Sequence, residues 1–395
     1  MIKKEKERGK ISPFFVMEML QIANERQSKG EDILHLEFGE PHVSPPKRVI
    51  CAAQERIKSD SLGYTDSVGL PELRSAIADY CNKTYHSTIK KEQVIVTPGS
   101  SGSFILSFLA LFKIGSLVAH AVPGYPAHAN IISALGLKPF PIVVGPETNY
   151  QPTIEHLKKL KNNISGIIIT SPSNPTGGIL EMNDLKDIIS FCKKRNIWII
   201  SDEIYHGISF HKKAISVLDI VDISNEKIVV INGFSKYFAM PGWRLGWSIL
   251  PKNLIETFKN LAQNFFISAP TLSQYAAIQA FNSLNDFGKN VALYKRNRDF
   301  LLKELTRIGF KEIFKPQGAF YLYLNVSHLT NNSTLFCMRM LNEIGVAVAP
   351  GIDFDPFEGK KFIRIAFSRP LRDIKAAIKR IKNWKLIKEK MAGKK

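Results

Sequence analysis

The sequence predicts an α/β fold, a mostly parallel central sheet flanked by helices, together with a smaller α+β domain. Three observations lead there. Between Val94 and Leu250 short β-branched runs alternate with helical stretches, the pattern of a parallel sheet covered on both faces. Polar clusters follow the apolar runs: VIV leads into TPGSSGS, IIIT into SPSNPTG, WIIS into DEIY and VVI into NGFSK. On such sheets ligands bind beyond the carboxyl ends of the strands. After about residue 285 the alternation gives way to a long helical stretch, a strand pair and a terminal helix.

Taken in order, the basic start MIKKEKERGK is followed by ISPFFVMEMLQIANERQ, which Glu18 interrupts and which lacks a small-residue cleavage site. It reads as a helix and not as a signal peptide, with Ser12 as N-cap, Pro13 in the first helical position and Gly30 at the end. Strands are expected at Val94 to Val96, Leu117 to Ala121, Pro141 to Val144, Gly166 to Thr170, Ile197 to Ile200, Ile228 to Ile231 and Leu245 to Ile249. Helices are expected at Ser103 to Phe112, Ala127 to Leu135, Thr153 to Leu160 and Asp184 to Arg195, each junction being marked by Gly, Pro, Ser or Asn. Beyond them come a helix from Asn290 to Ile308, the strands AFYLYLNV and KFIRIAF, and a terminal amphipathic helix carrying Ile374, Ile378, Ile381, Trp384 and Ile387 on one face. The division is residues 1–45 as an arm and helix joining the small domain, 46–285 as the large α/β domain, and 286–395 as the small α+β domain.

Composition narrows the function. Of the formal charge of +19, much lies at the ends: residues 372–395 carry ten Lys or Arg against Asp373 and Glu389. The helical spacing there makes the lysines a solvated face, so no nucleic-acid or membrane partner is expected. No apolar run approaches the roughly 18 residues of a membrane span. Cys51, Cys81, Cys192 and Cys337 form no CxxC pair, which points to a reducing cytoplasm and to neither a zinc site nor a disulfide framework.

The chemistry sits after the strands. TPGSSGSF puts Gly99, Ser100 and Ser101 at a strand-to-helix turn, where free N–H groups and hydroxyls favour an anion. The loop lacks the lysine of a P-loop, and no GxGxxG follows a strand. Asp202 ends the strand IWIIS, where a carboxylate needs a cation or several donors; a protonated ring nitrogen would serve. In NGFSKYFAMPGWRLGW, Lys236 follows a strand, and Arg244 stands eight residues on, suited to clamp a phosphate with Ser235.

These motifs, with LEFGEP, GYTDSVGLPELR, PGYPAH, SPSNPTG and FIRIAFS, resemble the class I and II aminotransferases, the fold-type I pyridoxal-phosphate enzymes, over nearly the whole chain. The resemblance implies pyridoxal 5'-phosphate bound in the large domain, with Lys236 holding its aldehyde as a Schiff base. It implies that Tyr125 stacks on the pyridine ring, that Asn174 and Tyr205 donate to the phenolic oxygen, and that Asp202 pairs with the pyridinium. Ser100, Ser101, Ser235 and Arg244 would form the phosphate cup, and Tyr64 would reach the phosphate of a neighbouring subunit, which makes the active unit a homodimer. Gly39 and Arg364, with Asn174, would receive the substrate's α-carboxylate. The implied reaction moves an amino group from an L-amino acid to a 2-oxo acid, with 2-oxoglutarate as acceptor, in ping-pong order.

The chain also departs from the pattern. Gly233 replaces a hydroxyl three residues before the lysine, His42 stands in GEPH where GEPD is common, and Ser100 takes the place of a lysine that reads a distal carboxylate in some aspartate-using relatives. A lyase or racemase on the same fold is the competing enzyme; a nucleic-acid-binding protein would need a module for which the described motifs leave no room.

Overall fold

The computed structural model describes residues 11–59, 62–311 and 313–392. The basic first ten residues lie outside them. A two-residue strand β1 (Leu34–His35) is followed by β2 (Val94–Pro98), β3 (Leu117–Val122), β4 (Lys138–Val143), β5 (Gly166–Thr170), β6 (Trp198–Asp202), β7 (Ile228–Gly233) and β8 (Leu245–Ile249). Later come β9 (Tyr321–Asn325), β10 (Val346–Ala347), β11 (Ala349–Pro350) and β12 (Phe362–Ala366).

Seven strands form the central sheet in the order β2-β8-β7-β6-β5-β3-β4. All neighbours are parallel except β8, which runs against both β2 and β7. Side chains alternate across it as a strand period of two requires. Ile95, Val118, Ile168, Ile200 and Val229 face one apolar core, while Val94, Val96, Ile167, Ile169 and Val230 face another. This explains the continuous apolar runs in the sequence, since both faces are covered. A third core gathers around β9 and β12, which pair antiparallel, with the helices Ser333–Ile344 and Leu371–Asn383. Met19 and Ala23 of the first helix pack into this core, as do Ile204, Tyr205 and Ile208 from the loop after β6.

Two expectations are corrected. The first helix spans Phe15–Ser28, so Ser12 is not its cap and Pro13 lies outside it. Its first N–H groups instead meet Asp353, which is distant in sequence. The terminal helix is two helices, Leu371–Asn383 and Lys385–Ala392, broken at Trp384. The apolar stripe survives the break, because Ile374, Ile378, Ile381, Trp384 and Ile387 are all buried. Lys375, Lys379, Lys382, Lys385 and Lys388 are exposed, as their spacing predicts.

Candidate active site

Sheet direction brings the polar motifs together. β2, β3, β5, β6 and β7 end at one edge, and each is followed by one of them: Ser100 and Ser101, Tyr125, Asn174, Asp202 with Tyr205, and Ser235 with Lys236. β8 runs the other way, so the residue before it, Arg244, reaches the same edge. Arg244 has φ 50°, an uncommon conformation for a residue with a side chain. Its guanidinium lies against the Gly99 turn, where a Cβ would come within 2.5 Å of Nη2. Gly246 pairs with Gly233, and a Cβ on Gly246 would stand 2.5 Å from the Ser100 nitrogen. Bare backbone is therefore what lets β8 approach the start of the helix Gly99–Leu111.

These side chains line one cavity of about 440 Å³, together with Gly39 and Arg364 from the other side. Tyr64 does not line it and is 82% exposed. Gly233 does not line it either, whereas Ser235 does. His42 lies apart, its Nδ1 2.7 Å from Nη1 of Arg369; burial and that cation lower its pKa.

At the base, Lys236 Nζ donates to the Gly39 carbonyl at 2.6 Å. Burial lowers its pKa to about 8, with the Arg364 charge acting in the same direction. Asp202 is 3.1 Å from His128 Nε2, and both are buried. It also accepts the Ile204 N–H at 3.3 Å and the Thr170 hydroxyl at 3.4 Å. Tyr205 and Tyr321 share a hydroxyl contact of 2.8 Å, and Tyr321 donates to the Gly39 carbonyl at 3.3 Å. Burial lifts the Tyr205 phenol well above its usual range and Tyr321 to about 12, so both stay neutral donors. Arg364 donates to Asn174 Oδ1 at 3.0 Å and to the Glu37 carbonyl. Its plane rests 4.4 Å from the Tyr321 ring centroid and 4.7 Å from that of Phe354, while its buried Nε has no partner. A guanidinium held at the wall of a cavity is suited to a carboxylate.

Residues 31–381 match the family described as aminotransferase class I and II. The chain belongs to that family. It is 41% identical over 379 residues to a valine–pyruvate aminotransferase of Mycobacterium tuberculosis, covering 95% of this chain and 97% of the relative. It is 35% identical to a (5-formylfuran-3-yl)methyl phosphate transaminase of Methanocaldococcus jannaschii, covering 94% and 96%. A solved aminotransferase structure from M. tuberculosis superposes with a TM-score of 0.93 at 40% identity, covering 97% of this chain and 99% of that one. An aspartate aminotransferase from Thermotoga maritima gives 0.89 at 30%, covering 96% and 99%. This protein is thus a pyridoxal-phosphate-dependent aminotransferase.

The residues present fit that cofactor. The cavity offers an amine for an aldehyde, a buried carboxylate for a ring nitrogen, an aromatic wall, and hydroxyls beside an arginine and a helix N-terminus for a phosphate. Among the described residues no group of His, Cys, Asp or Glu could hold a metal ion, and no helix is long and apolar enough to cross a membrane. Sequence reasoning missed His128 and Tyr321. His128 lies three residues beyond Tyr125, so one helical turn brings it back to the cavity. Tyr321 carried no local signal, since its neighbours in AFYLYLNV are equally apolar.

Proposed function

We propose that the enzyme transfers the amino group of an L-amino acid to a 2-oxo acid in ping-pong order, the first product leaving before the second substrate enters. The observation that carries this is the joint placement in one cavity of Lys236, an amine of lowered basicity, with the buried carboxylate of Asp202 and the guanidinium of Arg364. Pyridoxal phosphate, when bound, supplies an aldehyde for amines and an electron-withdrawing ring.

The chain's own residues do the rest. Arg364, steadied by Asn174 Oδ1, binds the α-carboxylate with the Gly39 N–H as a second donor and fixes the direction of the Cα–H bond. Lys236 takes the Cα proton as a neutral amine and later returns it, a role favoured by its lowered basicity. Asp202, beside His128 and accepting from the Ile204 N–H and the Thr170 hydroxyl, would present negative charge to the ring nitrogen. Tyr205 and Asn174 would donate to the phenolic oxygen, and Tyr125 would stack on the ring. Ser100, Ser101, Ser235 and Arg244 would hold the phosphate, Ser235 taking the part that Gly233 cannot. Tyr64 serves the neighbouring subunit of a homodimer, a reading supported by its exposure.

The division into residues 1–45, 46–285 and 286–395 is supported by the three apolar cores, with the first helix packed on the small domain. Cytoplasmic residence is supported by four free cysteines. For the acceptor we propose 2-oxoglutarate; pyruvate is the second reading, favoured by the name of the relative from M. tuberculosis. Assay with each acceptor decides between them. The central test is Lys236→Ala, which is expected to abolish turnover and the absorption of the lysine-bound cofactor. Full activity in that variant would reject the mechanism.

A further inference from the structure

The helix Phe15–Ser28 has no side-chain cap of its own. Its first N–H groups are met by Asp353, whose carboxylate accepts from Phe15 at 3.0 Å and from Val16 at 2.8 Å. Phe14, just before this clamp, and Val16, within it, both line the active-site cavity. The next residue, Phe354, lies against the Arg364 guanidinium at 4.7 Å, and its carbonyl accepts the Gly124 N–H at 2.9 Å, one residue before Tyr125. Phe14 in turn meets Tyr125 edge-on, with ring centroids 6.4 Å apart. Two consecutive residues therefore tie the N-terminal wall of the cavity to the arginine and to the aromatic wall.

That wall is apolar, with Phe14 and Val16 packed in one cluster with Phe354 and Tyr323. The lysine and arginines lining the cavity are Lys236, Arg244 and Arg364, and each is already engaged in the reading above. We infer that Asp353 is a positioning residue for donor selection: by clamping the Phe15 and Val16 N–H groups it fixes Val16 and the preceding Phe14 as a surface against which an uncharged, apolar amino-acid side chain packs while Arg364 holds the α-carboxylate. This inference rests on the role proposed for Arg364. Removing the carboxylate leaves two helix N–H groups without their acceptor and frees the wall to move.

Half-reactions of the holoenzyme with L-alanine, L-leucine or L-aspartate alone, followed by cofactor absorbance, test it. Wild type is expected to saturate at the lowest concentration with L-leucine. Asp353→Ala should raise the half-saturating leucine concentration at least about fivefold, the equivalent of one lost helix cap. The half-saturating alanine concentration and the maximal rate with alanine should change by less than about twofold. Asp353→Asn, whose amide oxygen can still accept one N–H, should fall between. Equal losses for alanine and leucine, no loss with either, or a wild-type preference for L-aspartate overturns the inference. If Asp353→Ala does not fold, Phe14→Ala decides: a leucine-selective rise supports it and a donor-independent one overturns it. An Arg364→Ala variant with unchanged affinity for every donor would instead remove the carboxylate reading itself, a different signature from any Asp353 result.

Discussion

Lys236 shows how a common residue type becomes a reactive one. Its pKa of about 8 arises from burial first and the Arg364 charge second, opposed by Glu40. A lysine attacks an aldehyde only as the free amine. Because the lowered value puts the protonated form below about pH 8 and the free amine above it, cofactor capture by the cofactor-free protein should accelerate as pH rises through that value and then level off. Rapid-mixing absorbance across pH checks this, and a rate that keeps climbing toward the ordinary lysine range would contradict the assignment. Gly39 has an equally local reason. Its missing side chain would sit 2.0 Å from the Tyr321 hydroxyl, so the position takes no larger residue without moving the Tyr205–Tyr321 pair.

At the scale of elements, the reversal of β8 and the break at Trp384 matter most. Had β8 run parallel, Arg244 would have emerged at the far edge of the sheet; its antiparallel course puts a cation beside the helix N-terminus at Gly99. The apolar runs in the sequence marked β8 as a strand but held no sign of its direction, because a strand buried on both faces has no pattern that distinguishes the two. Trp384 likewise fitted the helical stripe. In the fold it interrupts the helix, packs at a tilt against Phe336 with centroids 5.3 Å apart, and donates its indole N–H to Glu343 at 2.6 Å. It is 3% exposed. Trp384→Ala should therefore lower unfolding stability by about 3 kcal/mol, measurable by urea denaturation, while leaving cofactor absorption intact; a change under about 1 kcal/mol would mean that the site collapses around the loss.

At the scale of the whole molecule, the cavity lies where residues from the central sheet meet Gly39 and Arg364, the latter in the small sheet. Tyr64 is largely exposed and does not line the cavity. If it completes a neighbour's site, Lys236→Ala and Tyr64→Ala proteins, each impaired alone, should regain activity when mixed subunits are formed. One site of each mixed dimer then carries both intact residues. No recovery in verified mixed dimers would assign Tyr64 to the surface alone.

By itself the sequence determined the main strands, the edge at which the polar motifs gather, and eleven of the residues that line the cavity, because each strand-end motif is local and a parallel sheet aligns such ends without further information. Tertiary structure alone decided the partners separated by long stretches of chain: His128 against Asp202, Tyr321 against Tyr205, and Asp353 against the first helix. Those pairings depend on where elements come to rest after packing, and no periodicity or turn chemistry along the chain encodes a contact between residues 338 positions apart.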